Sequence, residues 1–502
     1  MRLDKAGPGA SWSAPARWGA LAALSLGLVS GGCGTGVDEA GSVDAVDAAA
    51  IGDPLPGLQV DPAIMAEAQE AFNAVETIED GLGPIFNDRG CAACHSLGAT
   101  GGAGEQTERR FGRFVNNIFD PLANQGGTLR QLFTVGNFNN PDLPPESRGT
   151  CEPGNPTLCC VPAEVDPPEA TVRNVGRVTT PLFGLGLVDA MPDSFFDQLA
   201  AAQPASIRGI VNRVPNLLPN PGDPTQSLGA PRVGRFGWKA GIPTLIQFSA
   251  DAYNNEMGIT TQSCFRGTSV NTFAVENAPN APNGSLPDGC DDLAPRQDDA
   301  FGPSVGLSVA LGHQVDDPVG SCGGGLTEIQ DDVFLFTVAM TALAPPPRDM
   351  SDQISITRGE PLFSQVGCAG CHVTTTFRTP ANPPPVVIGD SGERVRVPGN
   401  FAFRPFSDFL QHDMGSLGDQ IGEAPPDDPA QGIGNSLADT RRMRTAPLWG
   451  IRFRNKLLHD GRTTDIATAI RAHDGQGAAA RNAFNALSAA DQHALVQFVR
   501  SL

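Results

Sequence analysis

The chain has 502 residues, which is enough for two or three domains. Its 59 glycines and 44 prolines predict many loops and few long helices. The formal net charge of −21 argues against a nucleic acid as the partner, because binding phosphates requires a basic face.

The N-terminal segment predicts export. Basic residues precede an apolar run at residues 21–29, which is too short to span a membrane as a mature helix. Two interpretations remain open for residues 1–33: a bacterial lipoprotein signal with a lipid anchor on Cys33, or a plain signal cleaved nearby. Both place the mature protein in the periplasm. Residues 34–60 are small and acidic, and we expect a flexible tether there.

A helix is predicted from Asp61 onwards. Asp61 and Pro62 form a good N-cap and first-turn pair. Ile64, Ala68, Phe72 and Val75 follow at spacings that place them on one face. This helix precedes the first of two related cysteine motifs.

The two motifs are Cys91-Ala92-Ala93-Cys94-His95 and Cys368-Ala369-Gly370-Cys371-His372. Cys-X-X-Cys-His is the attachment signature of c-type haem. Its two cysteines project from one helical turn and form thioethers to one porphyrin, and the following histidine is the proximal iron ligand. One copy could be a redox or zinc motif with a chance histidine. Two copies behind an export signal predict two covalently bound haem c groups, and hence electron transfer or the activation of peroxide or oxygen.

Proline, glycine and cysteine content divides the rest of the chain. An N-terminal haem domain is predicted at 61–344, with insertions near 139–170 and 262–328. The prolines at 345–347 end an apolar helix at 333–343, and 348–502 form a C-terminal haem domain that closes with an amphipathic helix. We therefore predict a mainly α fold with many loops and two cytochrome c-like haem domains, the first enlarged by Cys-containing insertions.

The cysteines outside Cys33 and the haem motifs are even in number. In an oxidising compartment this predicts three disulfides, and the sequence leaves their pairing open. These cysteines are Cys151, Cys159, Cys160, Cys264, Cys290 and Cys322.

Two haems need up to four axial ligands, so the remaining histidines are candidates. They are His313, His412, His459, His473 and His493. His412, His459 and His473 follow the second motif, and an aspartate comes directly after each of them. A loop histidine held by a neighbouring aspartate can be an iron ligand, a residue at the haem edge or part of a turn.

The C-terminal half carries four further stretches: Phe406-Ser407-Asp408, His412-Asp413-Met414-Gly415, Arg444-Thr445-Ala446-Pro447-Leu448-Trp449-Gly450 and Leu458-His459-Asp460-Gly461-Arg462. In these it resembles the bacterial di-haem cytochrome c peroxidase/MauG superfamily, and in particular its di-haem oxidoreductase branch, often labelled thiol oxidoreductase. At the family's distal-ligand position for the second haem this chain has His473. The resemblance implies a His372/His473 pair, whose reduction potential is lower than with a methionine ligand.

The N-terminal half matches the same superfamily. Phe236-Gly237-Trp238 is followed by Gln247 and by Asn255-Glu256-Met257-Gly258. The resemblance implies that Glu256 is the acid/base, Gln247 its polar pocket partner and Trp238 the electron relay between the haems. A core aromatic residue is the other interpretation of Trp238. No histidine lies between Ser96 and Lys239, which implies an open first haem as in MauG. The resemblance covers most of residues 80–500 outside the insertions.

The expected reaction is reduction of hydrogen peroxide, or peroxide-driven oxidation of another molecule, with electrons from a small cytochrome or cupredoxin. One alternative is an electron carrier with two six-coordinate haems, in which Met257, His313 or Met414 caps the first iron. Another is a thiol or partner-protein oxidase of MauG type. The family's calcium site is disfavoured, because Arg454 and Lys456 bring cations to the segment that would supply carbonyl ligands.

Overall fold

The computed structural model describes residues 50–76, 85–122, 128–134, 166–217, 229–259, 332–388, 393–423 and 434–502, with Leu82 and short pieces within 220–227 and 262–271. Helices are the main regular element of these residues. In chain order they are α1 (Pro62–Asn73), α2 (Cys91–Cys94), α3 (Leu185–Asp189), α4 (Asp193–Ala202), α5 (Leu245–Met257), α6 (Asp332–Ala342), α7 (Gln353–Gln365), α8 (Leu437–Thr440), α9 (Ile466–Ala472), α10 (Ala478–Ala486) and α11 (Ala489–Ser501).

Helix α1 begins where its sequence predicts. The side chain of Asp61 accepts a hydrogen bond of 2.7 Å from the backbone N–H of Ala63, and Pro62 occupies the first turn. Ala68 and Phe72 are its buried residues, whereas Val75 lies beyond the end of the helix and is exposed, so its predicted place on this face is wrong. The predicted helices at 333–343 and in the C-terminal segment are likewise present, as α6 and α11.

The sheets are small. The strands are β1 (Ile85–Phe86), β2 (Thr107–Val115), β3 (Ile118–Asp120), β4 (Leu129–Arg130), β5 (Phe133–Thr134), β6 (Val172–Val178), β7 (Arg213–Pro215), β8 (Pro231–Val233), β9 (Gln262–Phe265), β10 (Thr268–Asn271), β11 (Phe377–Arg378), β12 (Val386–Ile388), β13 (Glu393–Val395), β14 (Ala402–Phe403), β15 (Gln411–Asp413) and β16 (Arg442–Arg444). Long β2 pairs with β3, β4 and β6, and the other sheets described are two-stranded, so the mainly α prediction with many loops holds.

Two hydrophobic clusters organise the helices. The larger one joins α1, α5 and α6 to residues beyond the proline run, among them Phe377, Phe409 and Trp449. The smaller one packs α7 against α11 around Phe363 and Phe498. The larger core therefore draws on both sides of the expected boundary at 345–347, and the two-domain division stays a prediction.

Several sequence-based predictions fall on residues that the structure does not describe. They are the export signal with Cys33, most of both insertions, His313 and five of the six candidate disulfide cysteines; for the sixth, Cys264, only the backbone is described. In the part of the chain that is described, no helix is both long and apolar enough to cross a membrane.

Candidate functional site

The first motif forms the short helix α2 and ends at His95. The Nδ1 atom of His95 lies 3.2 Å from the carbonyl oxygen of Gly102. Burial lowers the pKa of His95 to about 4, against the opposing effect of hydrogen bonds to the backbone of Gly102 and Thr180. A neutral imidazole with Nδ1 held by a carbonyl is the arrangement of a metal-ligating histidine.

A cavity of about 490 Å³ opens beside this motif. Its lining includes Cys91, Cys94, His95, Trp238 and Glu256. The volume lies within the range of small-molecule and cofactor sites. Among the described residues that line it, His95 is the one histidine.

Glu256 lies near the C-terminal end of α5, and hydrogen bonds fix both its side chain and its backbone carbonyl. Asn87 donates from Nδ2 to Oε2 of Glu256 at 2.8 Å. The backbone N–H groups of Asn87 and Asp88 donate to the carbonyl of Glu256 at 2.7 and 3.2 Å. Burial first, and then the negative charge of Glu108, raise the pKa of Glu256 to about 8, while Asn87 and Arg110 act in the opposite direction. Such a carboxyl group can both hold and release a proton near neutral pH.

Sequence reasoning missed six charged residues in the lining of the same cavity. They are Asp88, Glu108, Arg110, Arg177, Asp251 and Glu423. Nε of Arg110 lies 2.7 Å from Glu108, and Nη1 of Arg110 lies 3.4 Å from Glu423. Burial raises the pKa of Asp251 to about 7, with Arg110 opposing it. The i, i+2 spacing of Glu108 and Arg110 could have signalled one polar face of a strand.

Trp238 lines both this cavity and a second one around the second motif. Its indole N–H donates to the carbonyl of Val178 at 2.9 Å, and its ring meets that of His459 edge to face, with 6.2 Å between the ring centres. Gln247 is not part of the first cavity's lining. Its side-chain oxygen accepts a hydrogen bond of 2.9 Å from the backbone N–H of Leu217. The structure therefore places Trp238 in the lining of the first cavity, and Gln247 outside that lining.

The second motif surrounds a cavity of about 200 Å³. Its lining includes Cys368, Cys371, His372 and His473. Nδ1 of His372 lies 2.9 Å from the carbonyl of Phe406, and Nδ1 of His473 lies 2.9 Å from the carbonyl of Ala469. Burial lowers the pKa of both histidines, that of His372 to about 4. Both imidazoles are therefore neutral near pH 7.

The spacing of these two rings fits one metal ion between them. The ring centres of His372 and His473 are 6.5 Å apart. Two metal–imidazole bonds of about 2 Å each, plus roughly 1 Å from each nitrogen to its ring centre, span about 6 Å. His473 caps the C-terminus of α9, so a helix end directs it towards His372. The donor set, with both cysteines free of disulfides, fits a haem.

The other histidines have different surroundings. His412 is buried, with Nε2 2.9 Å from Asp408 and Nδ1 3.5 Å from the sulfur of Cys371. His459 is buried beside Trp238, and burial lowers its pKa to about 4. His493 is exposed on α11.

The two methionine candidates for capping the first iron lie in different cavities. Met257 is buried and lines the first cavity. Met414 lines the second cavity, so this option of the electron-carrier alternative is wrong, because the side chain lies at the other site.

Two lysines, the buried Lys239 and the half-buried Lys456, bind oxygen atoms of the chain. Nζ of Lys456 donates to the carbonyl of Glu105 and lies 3.9 Å from its carboxylate. Nζ of Lys239 donates to the carbonyls of Thr440 and Arg442 and lies 2.7 Å from Asp419. An ammonium group of the chain itself thus binds these oxygens, and the expectation against calcium stays a prediction.

Comparison with known protein families identifies the family of this chain. A family model described as "Di-haem oxidoreductase, putative peroxidase" matches residues 167–302 and 306–502. No curated protein and no solved structure matches the chain. The matched residues make up more than half of the chain and contain the second motif, His473, Trp238 and Glu256. The chain belongs to the di-haem oxidoreductase family.

Proposed function

We propose that this protein reduces hydrogen peroxide at the first cavity, or uses peroxide there to oxidise another molecule, with electrons that pass through the second site. The observation that carries the proposal is the position of Glu256, a carboxyl group with a raised pKa in the same cavity as Cys91, Cys94 and His95. Two covalently attached haem c groups, one at each Cys-X-X-Cys-His motif, would supply the redox chemistry and the electron storage.

The two sites differ in the number of histidines that they offer to iron. His95 stands alone among the described histidines in its cavity, so one side of a haem bound there would stay open to a small substrate. His372 and His473 face each other at 6.5 Å between ring centres and would close both sides. A pair of neutral imidazoles suits electron transfer, and a free coordination position suits reaction with peroxide.

Glu256 would handle the protons. Breaking the O–O bond of hydrogen peroxide takes two electrons and two protons and yields two water molecules. In its ionised form Glu256 would accept a proton from one peroxide oxygen and deliver it to the other, which then leaves as water. Asn87 supports this role, since its hydrogen bond of 2.8 Å orients the carboxyl group and stabilises the ionised form.

Trp238 would connect the two sites. It lines both cavities, and its N–H bond to Val178 holds the indole in one orientation. An aromatic side chain in that position shortens the gap that an electron must cross between the sites. The alternative role of Trp238, as a core aromatic residue, would not require contact with both cavities.

The remaining parts of the proposal concern the surroundings of the enzyme. The export signal suggests a periplasmic protein, with Cys33 as the lipid attachment point if the segment is a lipoprotein signal. The net charge of −21 would suit a small basic electron donor, such as a cytochrome or a cupredoxin.

Electron paramagnetic resonance of the oxidised holoprotein tests the ligation. We expect one high-spin and one low-spin haem, and we expect the His473→Ala variant to lose the low-spin signal. Two low-spin signals in the wild type would contradict an open first site. Steady-state turnover of hydrogen peroxide with a reduced cytochrome, compared with turnover of a small thiol, separates a peroxidase from an oxidase of thiols or proteins.

A second candidate function is electron transfer without catalysis. Met257 favours it, since this buried methionine follows Glu256 and lines the first cavity. A thioether bound to the first iron would fill the open position. The Met257→Leu variant distinguishes the two, because its spectrum would change from low spin to high spin only if the sulfur is a ligand.

A further inference from the structure

We propose that His412, held by Asp408, is a positioning residue that raises the reduction potential of the second haem by presenting a charged imidazolium to the sulfur of Cys371. The inference rests on the proposed attachment of a haem at Cys368 and Cys371. It gives His412 a role other than that of an iron ligand.

The geometry joins three side chains in a row. Nδ1 of His412 lies 3.5 Å from the sulfur of Cys371, and Nε2 lies 2.9 Å from Oδ2 of Asp408. Both His412 and Asp408 are buried, at 2% and 0% exposure. The backbone N–H of Asp408 also donates to the carbonyl of Cys371 at 3.0 Å, which ties the pair to the haem motif.

The surroundings leave the imidazole little freedom to turn away. A Cβ atom at Gly209 would lie 2.8 Å from Nε2 of His412, so the backbone of Gly209 closes that side of the ring. Gln203 donates to Oδ2 of Asp408 at 2.6 Å, and the N–H of Leu410 donates to Oδ1 at 2.9 Å. The carboxylate is thereby fixed in the orientation that meets His412.

The hydrogen-bonding capacity of the partners decides the charge. A carboxylate only accepts hydrogen bonds, so Nε2 of His412 must donate to Asp408. A thioether sulfur carries no hydrogen, so Nδ1 must donate to Cys371 once the haem is attached. An imidazole that donates from both nitrogens is a cation. Although burial lowers the pKa of His412, its contacts with Asp408 and with the Cys371 thiol outweigh this and raise the pKa to about 10; the contact with Asp408 does not depend on the thiol and persists when the sulfur is a thioether.

A positive charge at this position favours the reduced haem. Reduction removes one positive charge from the iron, so a nearby cation repels the reduced site less than the oxidised site. The carboxylate of Asp408 lies on the far side of the imidazole from the sulfur, and therefore offsets this effect only in part. The second haem would carry two histidine ligands, which lower its potential. The pair His412 and Asp408 would bring the potential back up, towards that of a donor protein.

Potentiometric titration of the full-length holoprotein tests this, followed by the optical spectrum of each haem. His412→Gln keeps a hydrogen-bond donor and loses the charge, His412→Leu loses both, and Asp408→Asn leaves a neutral imidazole. We expect a lower midpoint potential of the second haem in all three variants, with the largest shift in His412→Leu. The control is His493→Gln, which removes an exposed imidazole on α11 outside the lining of this cavity and should leave the potential unchanged.

Haem content and spin state make each outcome decisive. Unchanged potentials in His412→Gln and Asp408→Asn would overturn the proposal. So would loss of the second haem, or of its low-spin signal, in every variant, because the pair would then build the site and not set its potential. A wild-type protein with fewer than two attached haems would instead refute the proposed function.

Discussion

Replacing Glu256 by glutamine removes the proposed proton carrier and keeps its shape. The amide oxygen of the substituted side chain can still accept the hydrogen bond that Asn87 donates at 2.8 Å, so we expect the cavity to keep its form. A positioned general base contributes about 10²–10⁴-fold to the rate. We therefore expect kcat/KM for hydrogen peroxide to fall by about 10²–10⁴-fold in Glu256→Gln.

The raised pKa of Glu256 also predicts that kcat/KM increases with pH. Burial and the charge of Glu108 raise the pKa of Glu256 from 4.5 to about 8, and the ionised form is the one that accepts a proton. At pH 7 about a tenth of the molecules are ionised, and at pH 6 about a hundredth. Wild-type kcat/KM should thus rise about tenfold between pH 6 and pH 7 and level off above pH 8. The rise should be absent in Glu256→Gln.

Steady-state kinetics with hydrogen peroxide and a saturating reduced cytochrome provide the assay. Glu67→Gln is the matched control, since it removes an exposed carboxyl group on α1. It should retain wild-type kcat/KM at every pH. Wild-type kinetics in Glu256→Gln, or an unchanged rise of its kcat/KM with pH, would refute the reasoning.

The same raised pKa makes a prediction about stability. Between pH 4.5 and about 8 the folded protein holds a proton on Glu256 that the unfolded chain releases. The contribution of Glu256 to the free energy of unfolding is therefore present at low pH and is lost as the pH rises through that window. Urea unfolding should show the free energy of unfolding of the wild type falling with pH relative to that of Glu256→Gln. A constant difference between the two proteins would contradict it.

Three further predictions follow from other contacts. Asn87→Ala removes a hydrogen bond to the ionised form of Glu256 that is worth about 1.5–3 kcal/mol. The rise of kcat/KM should therefore move to higher pH by about one to two units. An unchanged pH profile would contradict the proposed effect of Asn87 on the pKa of Glu256. Trp238→Phe should lower kcat and leave kcat/KM for peroxide unchanged in stopped-flow and steady-state assays, because it affects only the supply of electrons. Phe498→Ala should lower the free energy of unfolding by about 3–5 kcal/mol in denaturant titrations, because this buried ring packs against Phe363 with 5.3 Å between ring centres. The control His493→Ala, at an exposed position, should change it by less than about 0.5 kcal/mol.

Local chemistry explains which predictions the sequence could support. A cap such as Asp61-Pro62 acts within one turn, so the start of α1 follows from neighbouring residues. The Cys-X-X-Cys-His motifs are also local, since their spacing alone brings both cysteines and the histidine to one cofactor. His473 came from a resemblance that spans the second half of the chain, and the structure places it opposite His372.

Tertiary structure decided the rest, because burial and charge at a site come from residues far apart in the chain. The sequence by itself determined the two motifs, the helix ends and the family. It could not show that Glu256 contacts Asn87 and lies near the charged residues of β2. The resemblance also placed Gln247 in the first cavity, whereas in the structure Gln247 accepts a hydrogen bond from Leu217 and is not part of that cavity's lining. The sequence also could not show that His412 reaches the sulfur of Cys371, since only the fold brings β15 against the second motif.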